Sequence, residues 1–235
     1  MANVIECSRV SKVYGNLCAL DEVNLTIPEG GGIVGLLGPN GSGKTTLIKL
    51  LTGMLQPTMG EVRVCGREVG TETKAIVSYL SDFYALDMSL TVEEELEYFS
   101  DFFLDFNREK AERMLSELAV PRTAKVKTLS KGTKEKLALV LTLSRNAKLY
   151  ILDEPIAGVD PAARQYVLDT ILANRSEQST ILLSTHLISE IERYFDYIVF
   201  IKEGHIVLEG AANEVRNKAG KSINDLFKEI FKWTI

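Results

Sequence analysis

Along the first 70 residues the apolar positions come in short runs separated by turn residues, a pattern that predicts strands. Val4–Val10 and Val23–Ile27 alternate or run apolar, and Pro28-Glu29-Gly30-Gly31-Gly32 breaks the pattern. Ile33–Leu37 is an apolar strand that runs directly into a glycine-rich loop. Thr45–Thr52 then takes helical spacing, with Gly53 placed to end it, and Glu61–Cys65 reads as a further strand turning at Gly66. Between residues 83 and 128 the period changes from two to about 3.6. Val92, Leu96, Phe99 and Phe103 share one helical face there, and Arg108–Leu118 carries Ala111, Met114, Leu115 and Leu118.

From Leu129 onward, helical and strand patterns alternate. Thr133–Ser144 and Pro161–Asn174 are predicted helices. Leu149–Leu152 and Ile181–Ser184 are unbroken apolar runs, suited to parallel strands buried on both faces. Tyr197–Ile201 and Ile206–Leu208 flank Lys202-Glu203-Gly204-His205 and read as a hairpin. Residues 211–235 are expected to form a helical tail. In it Ile223, Leu226, Phe227, Ile230 and Phe231 hold amphipathic spacing behind Ser222, a candidate N-cap. Packing of this tail on its own domain is the first expectation, with contact to a partner or to a membrane surface as alternatives.

Composition narrows the class. With 46% hydrophobic and 25% charged residues, the chain is of ordinary soluble type. At 235 residues it buries enough surface to fold without disulfides. Cys7, Cys18 and Cys65 show no pairing or metal-ligand spacing and read as free thiols in a reducing compartment. A net charge of -5 argues against a general nucleic-acid binder, so nucleic acid is not an expected partner. No apolar run approaches the roughly 20 residues that span a bilayer, and Met1–Cys7 has no basic region leading into an apolar one. The expected location is cytoplasmic, with any membrane role exercised through a partner.

Candidate chemistry concentrates at Gly38-Pro39-Asn40-Gly41-Ser42-Gly43-Lys44-Thr45, which matches GxxxxGK[ST] between a predicted strand and a predicted helix. Glycines let such a loop curl so that its amides point at phosphate oxygens, and the helix that opens there adds a positive end. Lys44 is placed to reach the terminal phosphates, and the Thr45 hydroxyl, followed by Thr46, to meet a bound Mg²⁺. Downstream, Leu149–Leu152 ends in Asp153 and Glu154. Two carboxylates at the end of a buried strand are costly unless a cation or ligand sits beside them. Asp153 suits Mg²⁺ and Glu154 suits polarising an attacking water. His186 follows the next apolar strand, at the edge where open α/β sheets bind ligands. It either contacts the terminal phosphate or positions the water beside Glu154.

With these residues in place, the chain resembles the ATP-binding cassette (ABC) family over essentially its whole length. Leu129-Ser130-Lys131-Gly132-Thr133 is similar to that family's signature segment, with Lys131 for a glycine and Thr133 for a glutamine. Its lysine form resembles the drug- and peptide-exporter branch. The resemblance implies a P-loop NTPase core, α/β in class, with an N-terminal antiparallel β region and an α-helical subdomain inserted over 83–128. It also implies one cassette over 1–235, with ATP and Mg²⁺ as cofactors. Ser130 and Gly132 would meet the phosphate held by a second ATP-binding subunit, identical or not. Tyr14 would stack on adenine. Gly158-Val159-Asp160-Pro161 resembles the loop that crosses the dimer interface. Asp82 stands where the family usually has a glutamine and becomes a third candidate metal ligand. The implied partner is a transmembrane permease, with the subunit peripheral on the cytoplasmic face of the membrane. A non-transport ABC ATPase in a soluble assembly is the alternative, and an ATP-holding module without turnover is a third class.

No Lys or Arg occurs between Lys74 and Arg108, whereas acids include Glu93, Glu94, Glu95 and Glu97, and Tyr98 and Phe102 form a second stripe. This surface is expected either to receive a basic or aromatic permease segment or to be a solvated acidic face. Because the whole reading hangs on the P-loop cation, Lys44→Ala is expected to weaken Mg·ATP binding by at least about tenfold. Equilibrium binding of a fluorescent ATP analogue measures this, and parental affinity would contradict the reading.

Overall fold

The structure, a computed structural model, describes residues 3–30, 32–81, 86–156, 159–175 and 178–232. In chain order these form β1 (Asn3–Tyr14), β2 (Leu17–Pro28), β3 (Gly32–Leu37), α1 (Lys44–Leu51), β4 (Met59–Val64), β5 (Arg67–Glu68), α2 (Thr71–Lys74) and β6 (Val77–Leu80). The helices α3 (Val92–Phe102), α4 (Arg108–Glu117) and α5 (Lys131–Leu143) follow, then β7 (Leu149–Asp153), α6 (Pro161–Asn174), β8 (Thr180–Thr185) and α7 (Ile188–Ile191). The chain closes through β9 (Tyr197–Lys202), β10 (His205–Ala211), α8 (Ala212–Ala219) and α9 (Ile223–Ile230).

Two sheets result. One is antiparallel, in the order β2-β1-β4-β5, and the other runs β10-β9-β3-β8-β7-β6. In the second, β9, β3, β8, β7 and β6 pair in parallel and β10 adds an antiparallel edge. The unbroken apolar runs have two faces to fill. On β7, Leu149 and Ile151 pack toward α1 and the antiparallel sheet, while Tyr150 and Leu152 pack toward α5 and α6. β8 and β9 divide their side chains in the same way. Alternation is therefore present in these strands, but both sides are apolar.

The elements differ from the sequence expectation in instructive places. β1 and β2 are longer than the predicted segments because their ladder contains register shifts, with Arg9 and Glu22 at φ 47 and 43. A bulge breaks the two-residue period and hides the rest of the strand. α5 starts at Lys131 because the Ser130 hydroxyl accepts the Thr133 amide at 3.2 Å. Phe103 leaves the helical conformation and lies under the Arg145 guanidinium, 3.9 Å from its ring centre. In the tail, Ala211 completes β10 and two helices follow, parted by Gly220 at φ 64. Ser222 caps α9 through the Asp225 amide at 3.0 Å, and Phe227 and Phe231 pack on Phe200.

The acidic run of α3 is not a free face, which corrects the expectation for Glu93–Glu95. Glu93 pairs with Arg108 and, at 2.7 Å, with Arg122. Glu94 closes a capping box with Thr91, accepting its amide at 2.7 Å. Glu95 is buried and accepts the Asp87 amide, and burial raises its carboxyl above the usual range. Each of these three acids is engaged by a group elsewhere in the chain or by the helix start. The exposed feature of this helix is aromatic: Tyr98 and Phe102 stack with centroids 6.0 Å apart, and Phe102 is 66% exposed.

Arg145 joins this helical region to the sheet. It is buried, pairs with Asp105 at 2.9 Å, and donates to the carbonyls of Val77 at 2.8 Å and Ala75 at 2.9 Å. Arg145→Ala removes a cation from a buried cluster of acceptors and is expected to cost about 3 kcal/mol of unfolding free energy. Urea titration tests this, and a loss below about 1 kcal/mol would place the join elsewhere.

Candidate functional site

Three neighbouring parallel strands deliver the site. β3, β8 and β7 lie side by side, and the segments leaving their C-terminal ends carry residues 38–46, 184–186 and 153–154 respectively. This is the edge at which open α/β sheets collect ligands. The loop from Gly38 to Gly43 curls tightly because it has no side chains where it meets the sheet. A Cβ on Gly38 would sit 2.4 Å from the Ile201 carbonyl oxygen, and one on Gly43, at φ 111, would sit 2.8 Å from that of Ala19. Gly43 caps α1 in the left-handed region, so the first amides of α1 face the loop. Behind the loop, the Gly204 amide in the β9–β10 turn donates to the Ser42 carbonyl at 2.9 Å.

Lys44 is buried and reaches across the loop, its Nζ donating to the carbonyls of Gly38 at 2.8 Å and Pro39 at 3.1 Å. Burial pulls its pKa below the ordinary lysine value, while Glu154 and Asp153 push it back. Thr45 Oγ1 donates to Asp153 Oδ2 at 3.3 Å, which ties α1 to β7. Glu154 takes a left-handed backbone at φ 51. Its carboxylate oxygen Oε2 lies 3.0 Å from His186 Nδ1. An ionised carboxylate can only accept, so Nδ1 carries the proton of that bond.

A cleft of about 680 Å³ opens on this cluster, and its lining includes Asn40, Gly41, Lys44, Thr46, Asp153 and Glu154. Tyr14 stands on its rim and is 42% exposed. The structure therefore brings Tyr14, the loop of residues 38–46, Asp153, Glu154 and His186 to one end of the sheet. It does not bring Ser130, Gly132 or Asp160 into this cleft, since none of them lines it. Ser130 is exposed, and a Cβ on Gly132 would meet nothing within 4 Å. Nothing in the chain's own packing requires a glycine there. Asp82 and Gly158 lie outside the described residues. Sequence reasoning missed Leu17, Cys18, Ala19 and the Glu203–Gly204 turn as cleft walls, and it missed Ser184 beneath the acids. The hairpin signal was legible, but nothing in it showed which way the turn would lean.

A phosphate loop, a strand-end acid pair and a histidine on adjacent parallel strands define a P-loop nucleotide-triphosphate-binding protein. Comparison with known proteins narrows this. The family model described as "ABC transporter" matches residues 20–157. The Nod factor export ATP-binding protein I of Cupriavidus metallidurans is 32% identical over 223 residues, covering 92% of this chain and 73% of that protein. The lantibiotic transport ATP-binding protein SrtF of Streptococcus pyogenes is 33% identical, covering 88% of this chain and 90% of that one. Among solved structures, an ATP-binding subunit of an ABC transporter superposes with a TM-score of 0.85 at 29% identity, over 97% of this chain and all of that one. The chain belongs to the ABC transporter family, as an ATP-binding subunit of the kind that hydrolyses ATP to power transport. Its similar relatives are exporter-type.

Proposed function

We propose that this chain powers export through a separate permease by hydrolysing Mg·ATP in the cleft at the ends of β3, β7 and β8. The observation that carries the reading is the Glu154–His186 contact at 3.0 Å beside Lys44 and Asp153. It is an acid–histidine pair aimed at the phosphate end of the cleft, which a protein that only held ATP would not require. Export is favoured by the names of the relatives, two of which serve export of Nod factor or transport of a lantibiotic.

The donor set fits a hard divalent cation. Thr45 Oγ1 and Asp153 Oδ2 are oxygen ligands that already converge. Among the described residues no cluster of three or more His, Cys, Asp or Glu could hold a metal alone, so Mg²⁺ would share the oxygens of the triphosphate. When bound it would neutralise charge on the phosphates. Lys44 would exchange its two loop carbonyls for phosphate oxygens, while the amides of residues 40–46 cradle the chain of phosphates. Tyr14 would stack on the base. Glu154 would accept a proton from the attacking water as its oxygen bonds to the terminal phosphorus and the bond to ADP breaks. His186 would hold the Glu154 carboxylate in line.

Ser130, Gly132 and Asp160 would act in a second ATP-binding subunit's site, which explains a glycine at 132 that its own chain does not need. Asp82 would supply a further oxygen near the metal. We read 1–235 as one cassette, with 83–128 as the inserted helical unit and 211–235 as a tail. No described helix is long and apolar enough to cross a membrane, so attachment to the membrane would come through the permease. The permease segment would enter an apolar groove of about 380 Å³ between the sheet and the helical unit, lined by Met54, Leu86, Phe99, Phe102 and Phe103. That placement replaces Glu93, Glu94 and Glu95, each of which already has a partner within the chain.

Glu154→Gln is expected to lower kcat at least about a hundredfold while leaving ATP affinity within about threefold. Phosphate-release kinetics and equilibrium binding measure the two, and retained turnover would remove Glu154 from its role. Phe102→Asp is expected to abolish co-purification with a multi-span membrane protein while solution ATPase activity stays within about twofold. Undiminished recovery would move the docking site elsewhere.

A further inference from the structure

Ser184 sits where the packing pattern of its strand calls for an apolar residue. On β8 it shares the α1-facing side with Leu182, which packs into the apolar core, and it is wholly buried. In the β7–β8 register it lies directly opposite Asp153. Its hydroxyl makes two bonds across that register. Oγ donates to Asp153 Oδ1, and the Glu154 amide donates to Oγ at 3.1 Å. A hydroxyl has one proton, and an ionised carboxylate must accept it, so the direction of both bonds is settled. The Glu154 amide also reaches the Ser184 carbonyl at 3.1 Å. Glu154 itself has φ 51, a conformation that costs a non-glycine residue about 1–3 kcal/mol unless its surroundings hold it.

We infer that Ser184 is a positioning residue for both carboxylates. By taking Asp153 Oδ1, it turns Oδ2 toward Thr45 and the metal position. By taking the Glu154 amide, it pins the strained turn that swings the Glu154 carboxylate back to His186. One buried hydroxyl thus fixes the angle between the metal-binding acid and the water-activating acid. Removing it leaves Asp153 Oδ1 without its donor and the Glu154 amide with only the Ser184 carbonyl. Small errors of aim at such a site are expensive in rate. The inference rests on the roles proposed for Asp153 and Glu154.

The test compares the parent chain, Ser184→Ala, Ser184→Thr and Glu154→Gln. For each, kcat is measured together with the affinity for a fluorescent ATP analogue in EDTA and in Mg²⁺, and the melting temperature. Ser184→Ala is expected to lower kcat about tenfold. The gain in nucleotide affinity on adding Mg²⁺ should shrink, while affinity in EDTA stays within about twofold. Ser184→Thr, which keeps the hydroxyl, is expected to recover most of both. Parental turnover in Ser184→Ala would overturn the inference. So would a loss that follows melting temperature and EDTA affinity together, or a folded Ser184→Thr as slow as Ser184→Ala. If instead the parent shows no Mg²⁺-dependent turnover, or Glu154→Gln is as active as the parent, the roles of the acids fail first.

Discussion

The contact between Thr45 and Asp153 joins residues 108 positions apart and sets what the rest of the site must do. It places a carboxylate, a hydroxyl and the buried Lys44 at one point, with Glu154 one residue further on. Buried charges of this kind are tolerated only when paired. Lys44 spends its protons on its own loop carbonyls, and Asp153 is bonded on both oxygens. On the proposed reading, a triphosphate with a divalent cation would supply the complementary charges. The geometry follows from parallel strands β3, β8 and β7 ending together, which no local preference of the loop could arrange.

Around that point the chain is braced rather than loosely packed. The β9–β10 turn supports the loop from behind through Gly204, and β9 passes so close that Gly38 must be glycine. On the other side the buried Arg145 bonds carbonyls of residues 75 and 77 and the Asp105 carboxylate, and so helps hold the helical region to the sheet. Arg164 performs a similar task near the acids, donating to the Val159 carbonyl and pairing with Glu190 beyond His186.

The acids of α3 illustrate how charge patterns mislead. Glu93, Glu94 and Glu95 are consecutive, so on a helix they point in three directions, and each meets a different partner. Arg108 and Arg122 bring their charges from outside the acidic stretch. That surface also exposes apolar side chains, in Phe102, Tyr98 and the fully exposed Leu104, beside the exposed acids Glu97 and Asp101.

The sequence alone determined the glycine loop with Lys44 and Thr45, the acids Asp153 and Glu154 at a strand end, and the alternation of strands and helices around them. These depend on local spacing, because a loop that wraps phosphate and a strand that buries both faces each need a particular order of residue types. The nearness of His186 to Glu154, the cleft walls at Cys18 and Gly204, the pairing of Glu93 and the clamp formed by Ser184 were decided only in three dimensions. Strand order and register bring together residues 30 or more apart, as in Glu154 and His186 or Asp153 and Ser184. Hydrogen bonds across a sheet leave no periodic trace along the chain.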